Sequence, residues 1–200
     1  MKKINFVKYN KTRREAFQIR TSLVEENGLP YVEKTALTAE GIPHIRSFEE
    51  KYKNLTEQNQ GLHVADVTVS SDGTTARFAF LKGETYAEIL GRQIVNGKVP
   101  EASLEDGISM ILKVHDDYMT PFHITPEFEE VFGVLPDTAE QIRRDWAFKH
   151  SNIDCLFENI MMTEDGPYCL DYEWVFSFPV PVNFIKFRVL YYFMSSIKAF

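Results

Sequence analysis

Apolar and polar residues alternate through five short stretches of the first eighty residues. Phe6–Tyr9, Phe17–Val24, Pro30–Leu37, His63–Val69 and Thr75–Leu81 each repeat with a period near two, which predicts half-buried β-strands. Glu26-Asn27-Gly28 separates the second from the third, and residues 70–74 with Gly73 separate the last two, so both pairs read as hairpins. Between the third and fourth strands the period changes. Ile42, Ile45, Phe48, Tyr52 and Leu55 stand three and four apart and predict one face of a helix. Thr38 is the expected cap, and Pro43 falls in the first turn, where its missing N–H costs nothing.

After Lys82-Gly83-Glu84 the strand pattern stops. Residues 85–93 and 104–118 carry helical periodicity, residues 138–146 predict a short helix, and residues 119–137, rich in Pro, Phe and Glu, fit no single period. Two short strands return at Ile160–Met162 and Tyr168–Leu170 around the turn Thr163-Glu164-Asp165-Gly166-Pro167. Pro179 and Pro181 mark a rigid connection into a last helix over residues 184–200. The expected class is α+β: a strand-rich lobe over residues 1–82 with one helix, and a mainly helical lobe over residues 83–200 containing one hairpin. Ligand clefts commonly lie between two such lobes.

Charge narrows the partners. A net charge of −7 argues against nucleic acid as the main ligand. Cys155 and Cys169 cannot build a disulfide framework and read as reduced thiols. Charges follow Met1 at once, so no signal peptide is expected. Lys186, Arg188 and Lys198 interrupt the one long apolar stretch, so no transmembrane segment is expected either. A cytoplasmic protein follows by default. The five histidines and two cysteines show no zinc spacing, and no Walker loop, Gly-x-Ser-x-Gly or His-Glu-x-x-His is present.

The chemistry concentrates in residues 151–174. Asp154 and Asn159 stand five positions apart, and the hairpin that follows folds the chain back to Asp171. An amide oxygen from Asn159 and a carboxylate from Asp171 suit a hard cation such as Mg²⁺. Asp154, on the preceding loop, is placed to orient or deprotonate a hydroxyl.

On Asp154-x-x-x-x-Asn159 followed by a hairpin and Asp171-Tyr172-Glu173, the chain resembles the protein-kinase-like superfamily, and within it the small-molecule branch of choline-kinase, aminoglycoside-phosphotransferase and lipopolysaccharide-kinase type. The resemblance implies a bilobal kinase-like fold with a five-stranded antiparallel N-lobe. It implies Asp154 as the catalytic carboxylate, Asn159 and Asp171 as Mg²⁺ ligands, and ATP as the phosphoryl donor. Val32-Glu33-Lys34 is similar to the family's Val-x-Lys strand, whose Lys holds the α and β phosphates, and Glu49 is the expected ion-pair partner of Lys34. Residues 80–83 would be the hinge that meets adenine.

Three features depart from the family pattern. Asn152 stands where protein kinases carry the His of His-Arg-Asp, residues 10–15 contain no glycine, and 29 residues follow Asp171. The implied function is an ATP-dependent phosphotransferase acting on a hydroxyl of a small molecule or a carbohydrate, such as an envelope glycan or lipopolysaccharide-like acceptor. The alternative is a degenerate kinase-like binding module, with further domains expected after residue 200. A third reading, an α+β interaction domain without cleft chemistry, requires that Asp154, Asn159 and Asp171 lie apart.

Overall fold

Strand pairing sorts most of the first eighty residues into one sheet. The computed structural model describes residues 1–98, 100–134, 136 and 140–197. β1 (Lys2–Tyr9), β2 (Ile19–Glu26) and β3 (Leu29–Ala36) form an antiparallel meander. α1 (Ile42–Gln58) follows, then β4 (His63–Val64), β5 (Val67–Val69) and β6 (Thr75–Ala79). The sheet runs β1-β2-β3-β6-β5, antiparallel throughout. By contacts the chain divides into two compact units, Met1–Asn54 with Ala65–Lys82, and Leu55–Val64 with Gly83–Phe200.

In the first unit, α1 covers one face of the sheet. Ile45 and Phe48 are fully buried, and the Phe48 ring meets the Phe78 ring edge-on at 5.1 Å. Burial of two such side chains stabilises by roughly 1.5–3 kcal/mol each. The opposite face carries an ionic cluster. Glu33 is buried, and its carboxylate faces Lys2 at 2.9 Å, Arg20 at 3.4 Å and Arg77 at 3.9 Å, one cation from each of β1, β2 and β6. A buried carboxylate requires such pairing, since a charge taken out of water loses its hydration with nothing in return.

The second unit begins its helices after β7 (Glu84–Thr85). α2 (Tyr86–Val95) opens with a capping box: the Thr85 hydroxyl accepts from Glu88 N–H at 3.2 Å, and the Glu88 carboxylate accepts from Thr85 N–H at 2.8 Å. The bonds this carboxylate accepts, from the Thr85 N–H and then from the Thr85 hydroxyl, hold it below its usual range. α3 (Glu101–Leu112), β8 (Met119–Pro121), α4 (Pro126–Phe132) and α5 (Glu140–Arg143) follow. Next come β9 (Trp146–Phe148), β10 (Ser151–Asn152), β11 (Ile160–Thr163), β12 (Gly166–Cys169), β13 (Val175–Phe176), β14 (Val180–Pro181) and α6 (Val182–Ile197). The β11–β12 hairpin is the centre of a four-stranded sheet ordered β4-β12-β11-β7. Gly83 lies so close to β11 that a Cβ there would come within 2.1 Å of the Met162 carbonyl oxygen. The main core packs Leu90, Ile111, Phe157, Ile160, Val189 and Phe193. No helix among the described residues is long and apolar enough to cross a membrane.

Several expectations change. The run at His63–Val69 is two strands in two sheets. β4 pairs in parallel with β12, whereas β5 pairs with β6, and the exposed Asp66 between them accepts Tyr52 O–H at 2.6 Å. Thr38 does not cap α1; its hydroxyl donates to Glu15 O, and a short turn at Ala39–Gly41 leads into the helix. The helix expected to reach residue 118 ends at Leu112, because Lys113 O accepts from the N–H groups of Gln60 and Gly61 and His115 N–H donates to Gln58 O. The unassigned stretch after 119 contains β8 and α4, the latter capped by the Thr125 hydroxyl, which accepts from Phe128 N–H. The expected helix over 138–146 appears as Glu140–Arg143, with Thr138 outside the described residues, as are residues 198–200 of the expected last helix.

Candidate active site

The loop that carries Asp154 is built by two strands and a hairpin. β10 pairs with β13 through Asn152 opposite Val175, and Ile153 N–H donates to Trp174 O at 3.1 Å. β11 pairs with β12 in the register Ile160 opposite Cys169. At its tip Thr163 accepts from Asp165 N–H, and Gly166 adopts φ +119, where a side chain would be strained. This register fixes the hairpin ends: Leu170 N–H donates to Asn159 O at 2.8 Å, one residue before Asp171.

Asn152 joins the three sequence-predicted residues. Its amide Nδ2 donates to Asp171 O at 3.0 Å, and its Oδ1 accepts from Asp154 N–H at 3.1 Å. It is buried, and Nδ2 also reaches Cys169 Sγ at 3.3 Å. Asn159 Nδ2 donates to Asp154 O at 2.8 Å. Asp154, Asn159 and Asp171 are therefore held in one hydrogen-bonded framework, which is the opposite of what the chemistry-free reading requires. Asp171 Oδ1 accepts from Glu173 N–H at 3.2 Å, and Glu173 is itself buried. A hydrogen bond with the neighbouring Cys155 thiol, and after it burial, push the Cys169 thiol well above its ordinary value, so the sulfur beside Asn152 stays uncharged.

The donor set can be tested against Mg²⁺. Because Asn159 Nδ2 is committed to Asp154 O, the amide oxygen is the atom it offers to a ligand, and Asp171 offers a carboxylate. Both are hard oxygens, as Mg²⁺ requires. Among the described residues no group of three or more His, Cys, Asp and Glu could hold a metal alone. The pair thus fits Mg²⁺ that brings phosphate and water oxygens with it, the usual way this ion binds beside a nucleotide.

Lys34 lies in the first unit, on β3 between Thr21 and Ala76. It is 6 % exposed, and its Nζ stands 5.6 Å from the Phe48 ring centre and 5.4 Å from that of Phe78. It is not a solvated strand charge. Glu49 is not brought to Lys34. It is exposed, and its Oε1 accepts from Val69 N–H at 3.1 Å, tying α1 to β5.

Two contributors were missed. Asn152, a departure from the His of kinases by sequence, bonds through its short amide to Asp154 in its own loop and to Cys169 and Asp171 beyond the hairpin. Arg188 on α6 donates from Nε to Ile153 O at 2.8 Å and from a terminal nitrogen to Asp154 Oδ1 at 3.1 Å. No spacing in the sequence links residue 188 to 154; only the packing of α6 does.

Comparison with protein-family models finds no match, and comparison with curated proteins finds none. Among solved structures, the chain is similar to the aminoglycoside phosphotransferase APH(2'')-IIa in a ternary complex with streptomycin and ATP, at 12 % identity and a TM-score of 0.44, covering 96 % of this chain and 78 % of that one. It is similar to ADP-bound APH(2'')-Ib at 12 % identity and a TM-score of 0.47, covering 98 % and 80 %, and to a gentamicin complex of APH(2'')-IIa at 13 % identity and a TM-score of 0.43, covering 98 % and 79 %. Similarity at this level assigns no substrate and no residue role.

Proposed function

We propose that this chain is an ATP-dependent phosphotransferase of kinase-like type that phosphorylates a hydroxyl of a small molecule or carbohydrate. The observation that carries the reading is the Asn152 amide, which ties the Asp154 N–H to the Asp171 carbonyl while Asn159 holds the Asp154 carbonyl. One framework thus presents a base and two oxygen ligands together. Asn159 and Asp171 would hold Mg²⁺, which when bound supplies positive charge against the transferring phosphoryl group. Lys34 would supply the cation for the α and β phosphates. Asp154 accepts the proton of the acceptor hydroxyl and aligns it, so positioning provides most of the rate. Glu49, engaged with Val69, has no part in this reading. A cytoplasmic setting is part of it, supported by the two free buried thiols.

Asp154→Ala tests it. ADP release from Mg²⁺–ATP should fall by about 10²-fold or more, the scale of a lost general base, while Mg²⁺–ATP still raises Tm. Equal turnover by the two proteins removes Asp154 from the reaction. A second reading, a binding module without turnover, is favoured by the glycine-free segment 10–15. It predicts that Mg²⁺–ATP raises the Tm of the wild-type protein with no ADP released.

A further inference from the structure

We infer that Arg188 is a positioning residue that sets the Asp154 carboxylate for proton transfer from the acceptor, an inference that rests on the phosphotransferase reading.

Two parallel rows on α6 place this side chain. Ile185, Val189 and Phe193 are four residues apart and buried, and Phe193 meets Phe157 at 5.6 Å between ring centres. They fix the rotation and register of the helix in the core. The adjoining row is Phe184, Arg188 and Tyr192, again four apart. The Arg188 guanidinium carbon lies 5.9 Å from the Phe184 ring centre and 5.0 Å from that of Tyr192. Aromatic faces on both sides limit the conformations of the guanidinium, so little freedom remains to be lost when it hydrogen-bonds.

Held in this way, Arg188 grips the loop at two consecutive residues. Nε–H donates to the Ile153 carbonyl and the terminal N–H donates to Asp154 Oδ1. The first bond fixes the backbone and the second fixes the carboxylate plane, so the side chain of Asp154 has one orientation rather than several. Arg188 and Asp154 side chains are 19 % and 20 % exposed, which places the pair where solvent screening is reduced but a substrate can still reach. Lysine has the charge but not the geometry. Its single nitrogen cannot reproduce two donors held in one plane.

The experiment is a double-mutant cycle on the full chain, with Mg²⁺–ATP hydrolysis as the turnover probe and a Mg²⁺–ATP thermal shift as the binding probe. Arg188→Gln should lower kcat by about 10–10²-fold, the scale of a misplaced catalytic group, and leave KM for ATP within about twofold. Arg188→Lys should fall between wild type and Arg188→Gln. Asp154→Asn combined with Arg188→Gln should be no slower than Asp154→Asn alone, because a residue acting through Asp154 has nothing left to act on. A merely structural strut would instead make the two losses multiply, or would remove nucleotide binding with turnover, and either result overturns the inference. Arg188→Gln with unchanged kcat overturns it as well. If Asp154→Asn itself turns over like wild type, or if wild-type protein binds Mg²⁺–ATP without turnover, the phosphotransferase reading fails first and this inference with it.

Discussion

Replacing Asn152 by leucine tests the framework on which the site depends. The two side chains branch alike and have the same number of heavy atoms, so the change removes hydrogen bonds without opening a cavity. Three contacts disappear: the donations to Asp171 O at 3.0 Å and to Cys169 Sγ at 3.3 Å, and the acceptance from Asp154 N–H at 3.1 Å. Asp171 O keeps a weaker donor in the Cys169 thiol at 3.4 Å, so the heavier loss falls on the Asp154 N–H. A buried donor left unpaired costs about 1–3 kcal/mol and each lost bond about 1 kcal/mol. Against this stands a hydrophobic return of about 1 kcal/mol from the leucine. The net expectation is a loss of roughly 2–4 kcal/mol, which in a chain of this size lowers Tm by about 4–16 °C. Urea unfolding followed by circular dichroism measures the loss, and a Mg²⁺–ATP thermal shift on the same protein measures the site. The variant should also lose its nucleotide-dependent shift, since Asp154 and Asp171 are no longer tied together. A loss below about 1 kcal/mol with an unchanged nucleotide shift would show that Asn152 neither supports the loop nor joins its carboxylates.

Gln58→Leu should cost about 2–3 kcal/mol, because the buried Gln58 amide makes two bonds to the His150 backbone, donating to its carbonyl at 2.7 Å and accepting from its N–H at 3.0 Å; chemical denaturation checks this. The Lys2 ammonium is raised above its ordinary value of 10.5, first by its hydrogen bond to Glu33. A raised cation stabilises fully below 10.5 and stops contributing as pH climbs through the folded-state value. The stability difference between wild type and Lys2→Met should therefore be constant from about pH 7 to 9 and shrink above about pH 10.5. It should be small throughout, because Lys2 is 40 % exposed.

Much of this architecture is legible in the residue pattern, for identifiable reasons. The alternation of β6 and the apolar row on α1 follow from one buried face each, whereas β1, expected to be half-buried, is exposed along its whole length. Asn27-Gly28 and Gly73 adopt the positive φ that their turns demand. The pattern fails where long-range partners decide. The apolar run at His63–Val69 looks continuous, but its two halves pair with strands far apart in the chain. Helical periodicity past Leu112 yields to hydrogen bonds from Gln60 and Gly61. In the site, Asp154, Asn159 and Asp171 are visible because a short loop and a hairpin bring them together locally. Asn152 is misread because a side-chain amide can replace a ring as a bridge, and its partners, Asp171 and Cys169, lie across the hairpin. Arg188 is invisible because its register depends on the core packing of Ile185, Val189 and Phe193. Glu49 illustrates the converse: helical spacing places it beside the inward row, yet a backbone N–H on β5 claims its carboxylate.

Isothermal titration of ATP into wild type and Asp171→Asn, each with Mg²⁺ and with EDTA, reaches the central claim most directly. Wild type should bind at least about tenfold more tightly with Mg²⁺, a difference of about 1.4 kcal/mol, and Asp171→Asn should behave in Mg²⁺ as wild type does in EDTA. Equal affinity for ATP with and without Mg²⁺, or an Asp171→Asn protein that keeps the full Mg²⁺ effect, would contradict the account.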